Sequence, residues 1–316
     1  MRTWVLCCAA FVAFAACRRT PLVTIAPATT TAAATTVTAA AVKTYAIRLK
    51  RPSHVGDTAR IAVDAEHDEH TTARVAGTSK EKQKKTVAHI EGTSKVMALQ
   101  ADGATPLRDE VTVGEFWSMV DGGAKTTLAS PGARVDVLRA ATKRDARVTV
   151  DGRAASQKVL DAIADLTTLT LRKGATDDEV FGTSVPQPVG GEWPINAEAA
   201  ARDFRARDIA LAPGGVTGST KLVAVRAVHG VDCLEIDNHA TLAGIDSLGD
   251  LPPGSTVKNG RIDVHLHEML PIDETKGAIE QEMDITVTGA FVVPKAAGPV
   301  EVEVESVDRK RATVLP

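Results

Sequence analysis

The chain has 316 residues, with 37 Lys and Arg against 40 Asp and Glu, a formal charge of −3. That balance leaves no basic footprint for nucleic acid or for an anionic surface, so neither is expected as a partner. Aromatic residues make up only 3%, so a core must be built from Val, Ile, Leu and Ala.

The first sixteen residues have the plan of an export signal. Arg2 supplies a positive start, and residues 4–16 form an unbroken apolar run of thirteen. A helix rising about 1.5 Å per residue makes that run short for a ~30 Å hydrocarbon core. It has the length of a signal-peptide apolar segment. The small residues Ala15 and Ala16 directly precede Cys17. This arrangement resembles the lipobox of bacterial lipoproteins, with Phe14 standing where Leu is commoner. The resemblance implies acylation of the Cys17 thiol and cleavage before it. Each buried CH₂ of an acyl chain contributes ~0.8 kcal/mol, so two or three chains give lasting attachment. Arg18, in place of Asp, is compatible with export to the outer membrane, facing the periplasm. The alternative is an ordinary signal cut elsewhere, with Cys17 incidental. Cys7 and Cys8 leave with the leader and Cys17 takes lipid, so Cys233 stands alone. Stability must then come from burial and not from cross-links.

Residues 17–42 are mostly Thr, Ala and Val, and positions 29–36 hold nothing else but Thr and Ala. No helical stripe and no turn chemistry interrupts them, so they read as a disordered tether. About 25 flexible residues reach ~25–30 Å, enough to lift a domain off a bilayer.

Residues 43–316 read as an antiparallel β-rich domain, divisible into halves 43–184 and 185–316. Residues 45–50 form a strand, 55–57 a turn, and 58–63 its expected partner. Lys80, Lys82, Lys84 and Lys85 read as a solvated loop or a charge-protected edge before a strand at 86–91. Further strands are expected at 95–100, 110–120, 124–128, 134–138 and 147–150. Ser156 can cap a helix over 157–166, with Val159, Leu160, Ile163 and Leu166 on one face. The Pro/Gly-rich stretch 185–195 marks a boundary. Asn196 can cap a second helix over 197–207, with Ala200, Ala201 and Phe204 as a thin apolar side. Strands follow at 220–228, 233–240, 261–270, 278–293 and 300–305. The last alternates Val and Glu strictly, valines to a core and glutamates to water.

One register is specific enough to test. Alternation lets apolar meet apolar if Leu266 pairs with Met283, Val264 with Ile285 and Ile262 with Val287. The same register sets His267 opposite Glu282 and His265 opposite Asp284. Two imidazoles on one strand face, with carboxylates from the neighbour, form a ligand set for a divalent metal. A half-solvated face of His–carboxylate pairs is the competing reading, and the one adopted. The run Asp64-Ala-Glu-His67-Asp-Glu-His70 is similarly ligand-rich but reads as a solvated strand end or loop. His54, His89, His229 and His239 are isolated and read as surface or satisfied residues. Cys233 reads as a buried thiol, since His229 lies ~13 Å away along an extended chain. No G-x-S-x-G, G-x-x-x-x-G-K, G-x-G-x-x-G or C-x-x-C is present. No cofactor is expected.

The later half carries Val189-Gly190-x-x-Trp193-Pro194, then Lys221-Leu-Val-Ala-Val-x-x-Val-x-Gly230-Val-x-Cys233-x-x-Ile236, then Leu270-Pro-Ile-Asp-x-x-x-Gly277. This layout resembles a family of uncharacterised bacterial envelope lipoproteins. A tethered, β-rich envelope protein with two helices is also loosely similar to half-barrel lipoproteins that carry lipids between membranes. The similarity implies a mainly β, β-rich α+β fold: a large curved antiparallel sheet or half-barrel, as two similar halves, with two covering helices. The function expected is a non-catalytic binding module for a lipid or other hydrophobic ligand, anchored in the envelope membrane. Two alternatives stand beside it: a structural or protein-interaction domain, and a metal-dependent enzyme using His265 and His267.

Overall fold

The structure is a computed structural model that describes residues 42–75, 78–248, 251–294 and 298–316. The leader, Cys17 and all of the tether but Val42 lie outside the described residues. The first half contains β1 (Thr44–Ile47), β2 (Thr58–Val75), β3 (Thr78–Leu99), β4 (Pro106–Val120), β5 (Thr126–Thr127), β6 (Arg134–Leu138), β7 (Arg147–Val150) and β8 (Arg153–Ala154). Next come α1 (Gln157–Leu166), α2 (Asp177–Val180), β9 (Thr183–Pro188), β10 (Glu192–Pro194) and α3 (Ala197–Arg205). The chain continues through β11 (Ile209–Leu211), β12 (Val216–Val228), β13 (Val231–Ala243), β14 (Ile245–Leu248), β15 (Thr256–Pro271), β16 (Glu280–Val293) and β17 (Val300–Val314).

Thirteen of these strands make one open antiparallel sheet, in the order β10-β12-β13-β15-β16-β17-β2-β3-β4-β6-β7-β8, with β5 paired to β4. The chain meanders outward from β2 to β8. It then crosses to the opposite edge, enters at β10 and meanders back, so that β17 lies against β2. The crossing segment cannot pass through the sheet, so it covers one face, here called the inner face. Val159, Ile163 and Leu166 of α1 pack on Val63, Ile90, Val113 and Val135 of the first-half strands. Ala199, Ala200 and Phe204 of α3 pack on Leu242, Ile262 and Ile285 of the second half. Fully burying an aliphatic side chain contributes about 1.5–3 kcal/mol, so these two cores hold the crossing layer down.

The caps form as the sequence implies. The Ser156 hydroxyl accepts from Val159 N–H at 3.4 Å, and the Asn196 side chain accepts from Ala199 N–H at 3.0 Å. A third helix, α2, joins the two expected ones; Thr176 and Glu179 form its reciprocal capping box. The β15–β16 register is the one derived from alternation: Ile262↔Val287, Val264↔Ile285, Leu266↔Met283, His267↔Glu282 and His265↔Asp284.

Other expectations need correction. β1 does not pair with the strand after it. It pairs with β9, while the 55–57 turn bonds Val96 on β3. Leu49 N–H also reaches the Asp178 carboxylate at 2.6 Å, fixing the strand beside α2. The lysine cluster is not a loop. It begins the 22-residue strand β3, where residues 78–85 pair only with β2 because β4 ends at Val120, opposite Thr86. The lysines therefore sit on a locally open edge, as the charge-protected alternative requires. On β17 the alternation holds, but Val300, Val302 and Val304 are only half-buried, since the crossing layer does not cover that end of the sheet.

Candidate binding cavity

Strand periodicity gives the inner face one residue in two. Across the middle of the sheet these are Ala240, Val264, Leu266, Met283 and Ala312, with Gln281 and Lys310 among them. The helices pack to either side of this zone. Between the two packed cores a cavity of about 820 Å³ remains, with those side chains as its floor. Its roof comes from the crossing layer, including Leu169, Leu171, Phe181 and Phe204. Small-molecule sites span roughly 300–1,000 Å³ and combine mainly apolar walls with a few placed polar groups. This cavity has both features.

Two buried polar groups of side chains flank the floor. In the first, Glu268 is 3% exposed and accepts from Asn238 Nδ2 at 3.2 Å and Gln281 Nε2 at 2.9 Å. Thr220 completes the row, donating its hydroxyl to Asn238 Oδ1 at 3.0 Å. Burial pushes the Glu268 carboxyl up to about 8, with Asp177 adding to the rise and the two amide donors opposing it. In the second, His67 is 5% exposed and its Nδ1 lies 2.6 Å from Asp308 Oδ1. Burial acts against the charged ring, but Asp308, Asp165 and Glu69 outweigh it and raise the His67 pKa. Asp165 of α1 faces the same cluster and has its carboxyl raised by burial.

The predicted metal candidates lie on the outer face. All four are in register, yet their side chains do not converge. His267 Nδ1 approaches Asp237 at 2.9 Å, and His265 Nε2 approaches the same carboxylate at 3.3 Å. Glu282 turns instead to Arg311 at 3.0 Å, and Asp284 lies 4.0 Å from Arg309. Among the described residues no group of three or more His, Cys, Asp or Glu is placed to hold a metal ion.

The 64–70 run is neither a loop nor a strand end. It lies within β2, whose alternation divides it between faces. His67 and Glu69 point inward; Asp64 points outward to His89 at 2.7 Å, and Glu66 outward to Lys85 at 2.9 Å. His89 also stacks on Trp117 at 5.4 Å. Cys233 is fully buried, and burial raises its thiol pKa, which favours the less reactive protonated sulfur. The lining residues of 139–145 and 167–181 carry no motif. Only Thr176-x-x-Glu179 could have announced structure there.

No protein-family model matches the chain, and no curated protein matches it either. Among the distantly similar solved structures, two illustrate the likeness. One is a DUF1329 family protein from Desulfovibrio piger, at 10% identity over 77% of this chain and 83% of that one, TM-score 0.16. The other is MucB in complex with MucA(peri), at 10% identity over 77% of this chain and 88% of that one, TM-score 0.18. At such scores the likeness is too loose to transfer any property. Among the described residues no helix is long and apolar enough to cross a membrane.

Proposed function

We propose that this protein is a non-catalytic binding module of the cell envelope that holds a lipid or other hydrophobic ligand between its sheet and its crossing layer. The observation that carries the reading is the cavity of about 820 Å³ floored by Ala240, Val264, Leu266, Met283 and Ala312. A filled core with one contiguous apolar surface patch would favour an interaction domain instead. Here the exposed Val42, Val185 and Val189 lie along the small β1–β9 pair, with Val55 and Val120 elsewhere, and it is the cavity that favours a ligand. The export signal and the lipobox-like Cys17 support a location at the outer membrane, with the tether spacing the domain from the bilayer.

Native mass spectrometry of the full chain extracted from membranes tests the reading. The expected result is a co-purified amphiphile that is lost in Leu266→Trp, whose indole fills the floor. A wild-type protein that carries nothing and admits no apolar probe would refute it.

A further inference from the structure

The cavity's charges differ in sign from the chain's. Overall the acids outnumber the bases, 40 to 37. Along the cavity the bases outnumber the acids. Two of the lining acids are already engaged: Asp177 is bound by Arg172 at 2.9 Å and Asp203 by Arg207 at 3.0 Å. Of the remaining acids, Asp208 is exposed, and Asp145 accepts the Thr142 hydroxyl at 2.6 Å.

Lys143, Arg144 and Lys173 are the exposed bases of the lining, and so mark its mouth. None of the three is in an ion pair among the described residues. Behind them, Lys310 is the single charged side chain on the floor. Cations therefore lead from the solvent rim to the apolar interior. A cleft with low-dielectric walls concentrates the field of such charges, which attracts counter-charged groups. Lys and Arg heads at the rim also keep their stems on apolar surface, so they do not spoil the interior.

We infer that the ligand is an amphiphile with an anionic head, a carboxylate or a phosphate, seated at Lys143, Arg144 and Lys173, with its apolar tail over Leu266 and Met283. This inference rests on the binding-module reading and narrows it to one ligand class. At the cavity beside Pro299 the two lining bases are already paired, Arg74 with Glu303 and Lys258 with Glu301.

The test is displacement of the uncharged fluorophore N-phenyl-1-naphthylamine from the full chain by laurate, dodecyl phosphate and dodecanol. Wild type is compared with the Lys143→Gln/Arg144→Gln/Lys173→Gln variant. These side chains are exposed, so folding is retained, and equal melting temperatures verify that. The expected result is at least tenfold tighter binding of one or both anions than of dodecanol, weakening as salt is added. The variant should lose that preference while keeping its dodecanol affinity. A preference for laurate alone assigns a carboxylate head, and one for dodecyl phosphate alone a phosphate head. Equal binding of all three ligands by wild type, or an undiminished preference in the variant, overturns this inference but leaves the binding module standing. No binding of the fluorophore or of any ligand overturns both.

Discussion

Glu268→Gln is expected to make the protein more resistant to alkaline pH. In the folded state the carboxyl titrates at about 8, against an ordinary value of 4.5. Its group is therefore protonated more readily in the folded chain than in the unfolded one. Stability from this source is complete below about 4.5 and is lost as pH rises through the folded value near 8. At 1.36 kcal/mol for each pKa unit, the loss between pH 5 and pH 8.5 is about 4 kcal/mol. Gln keeps the size and one carbonyl acceptor for the Asn238 and Gln281 amides but cannot ionise. All other titrating groups, His67 included, are common to both proteins and cancel in the difference. The assay is urea denaturation of wild type and variant at half-unit steps across that range. The wild-type stability minus that of the variant should fall by about 4 kcal/mol as pH rises from 5 to 8.5. A difference that stays flat would mean that Glu268 is ionised in the fold, and the burial argument would fail.

Four other outcomes are expected. Ser156→Ala removes the acceptor for Val159 N–H and should cost about 1 kcal/mol in denaturant melts, with the sheet's circular dichroism unchanged. Gly92→Ala should cost about 1–3 kcal/mol, because a Cβ there would press on the Thr112 carbonyl carbon at 3.1 Å and on its oxygen closer still. Leu222→Ala should cost about 2–5 kcal/mol, since that side chain is fully buried against Leu234 and Ile236. Leu266→Trp should abolish probe binding while leaving the melting temperature within a few degrees of wild type; a variant that still binds would place the ligand elsewhere.

Local chemistry was legible wherever the sequence itself decides. Ser156 and Asn196 could be read as caps because a cap needs only residues within one turn. The β15–β16 register followed from alternation, because the strands are consecutive and a one-residue slip would bury Glu282 and Asp284. β1 could not be placed this way, since its partner β9 lies far along the chain. The length of β2 and β3 was also hidden. Beyond the cover of α1 they continue in the sheet with polar residues on both faces, so periodicity carries no signal there. The 64–70 run misled for the same reason. Its ligand-rich composition is visible in sequence, whereas the division of His67 from Asp64 and Glu66 depends on which face is covered. A module for a hydrophobic ligand was expected, but the lining of the cavity comes largely from irregular chain around α1 and α2 that no pattern identifies.

The position of β17 sets an order on assembly. Until residues 300–314 arrive, the strand beginning at Thr58 has one bare edge and the two meanders cannot be joined. Pairings this remote in sequence form slowly, and a naked strand invites association with other chains. A ribosome releasing this polypeptide would expose that edge throughout synthesis. Joining the two meanders therefore waits on β17, however early each meander pairs its own strands.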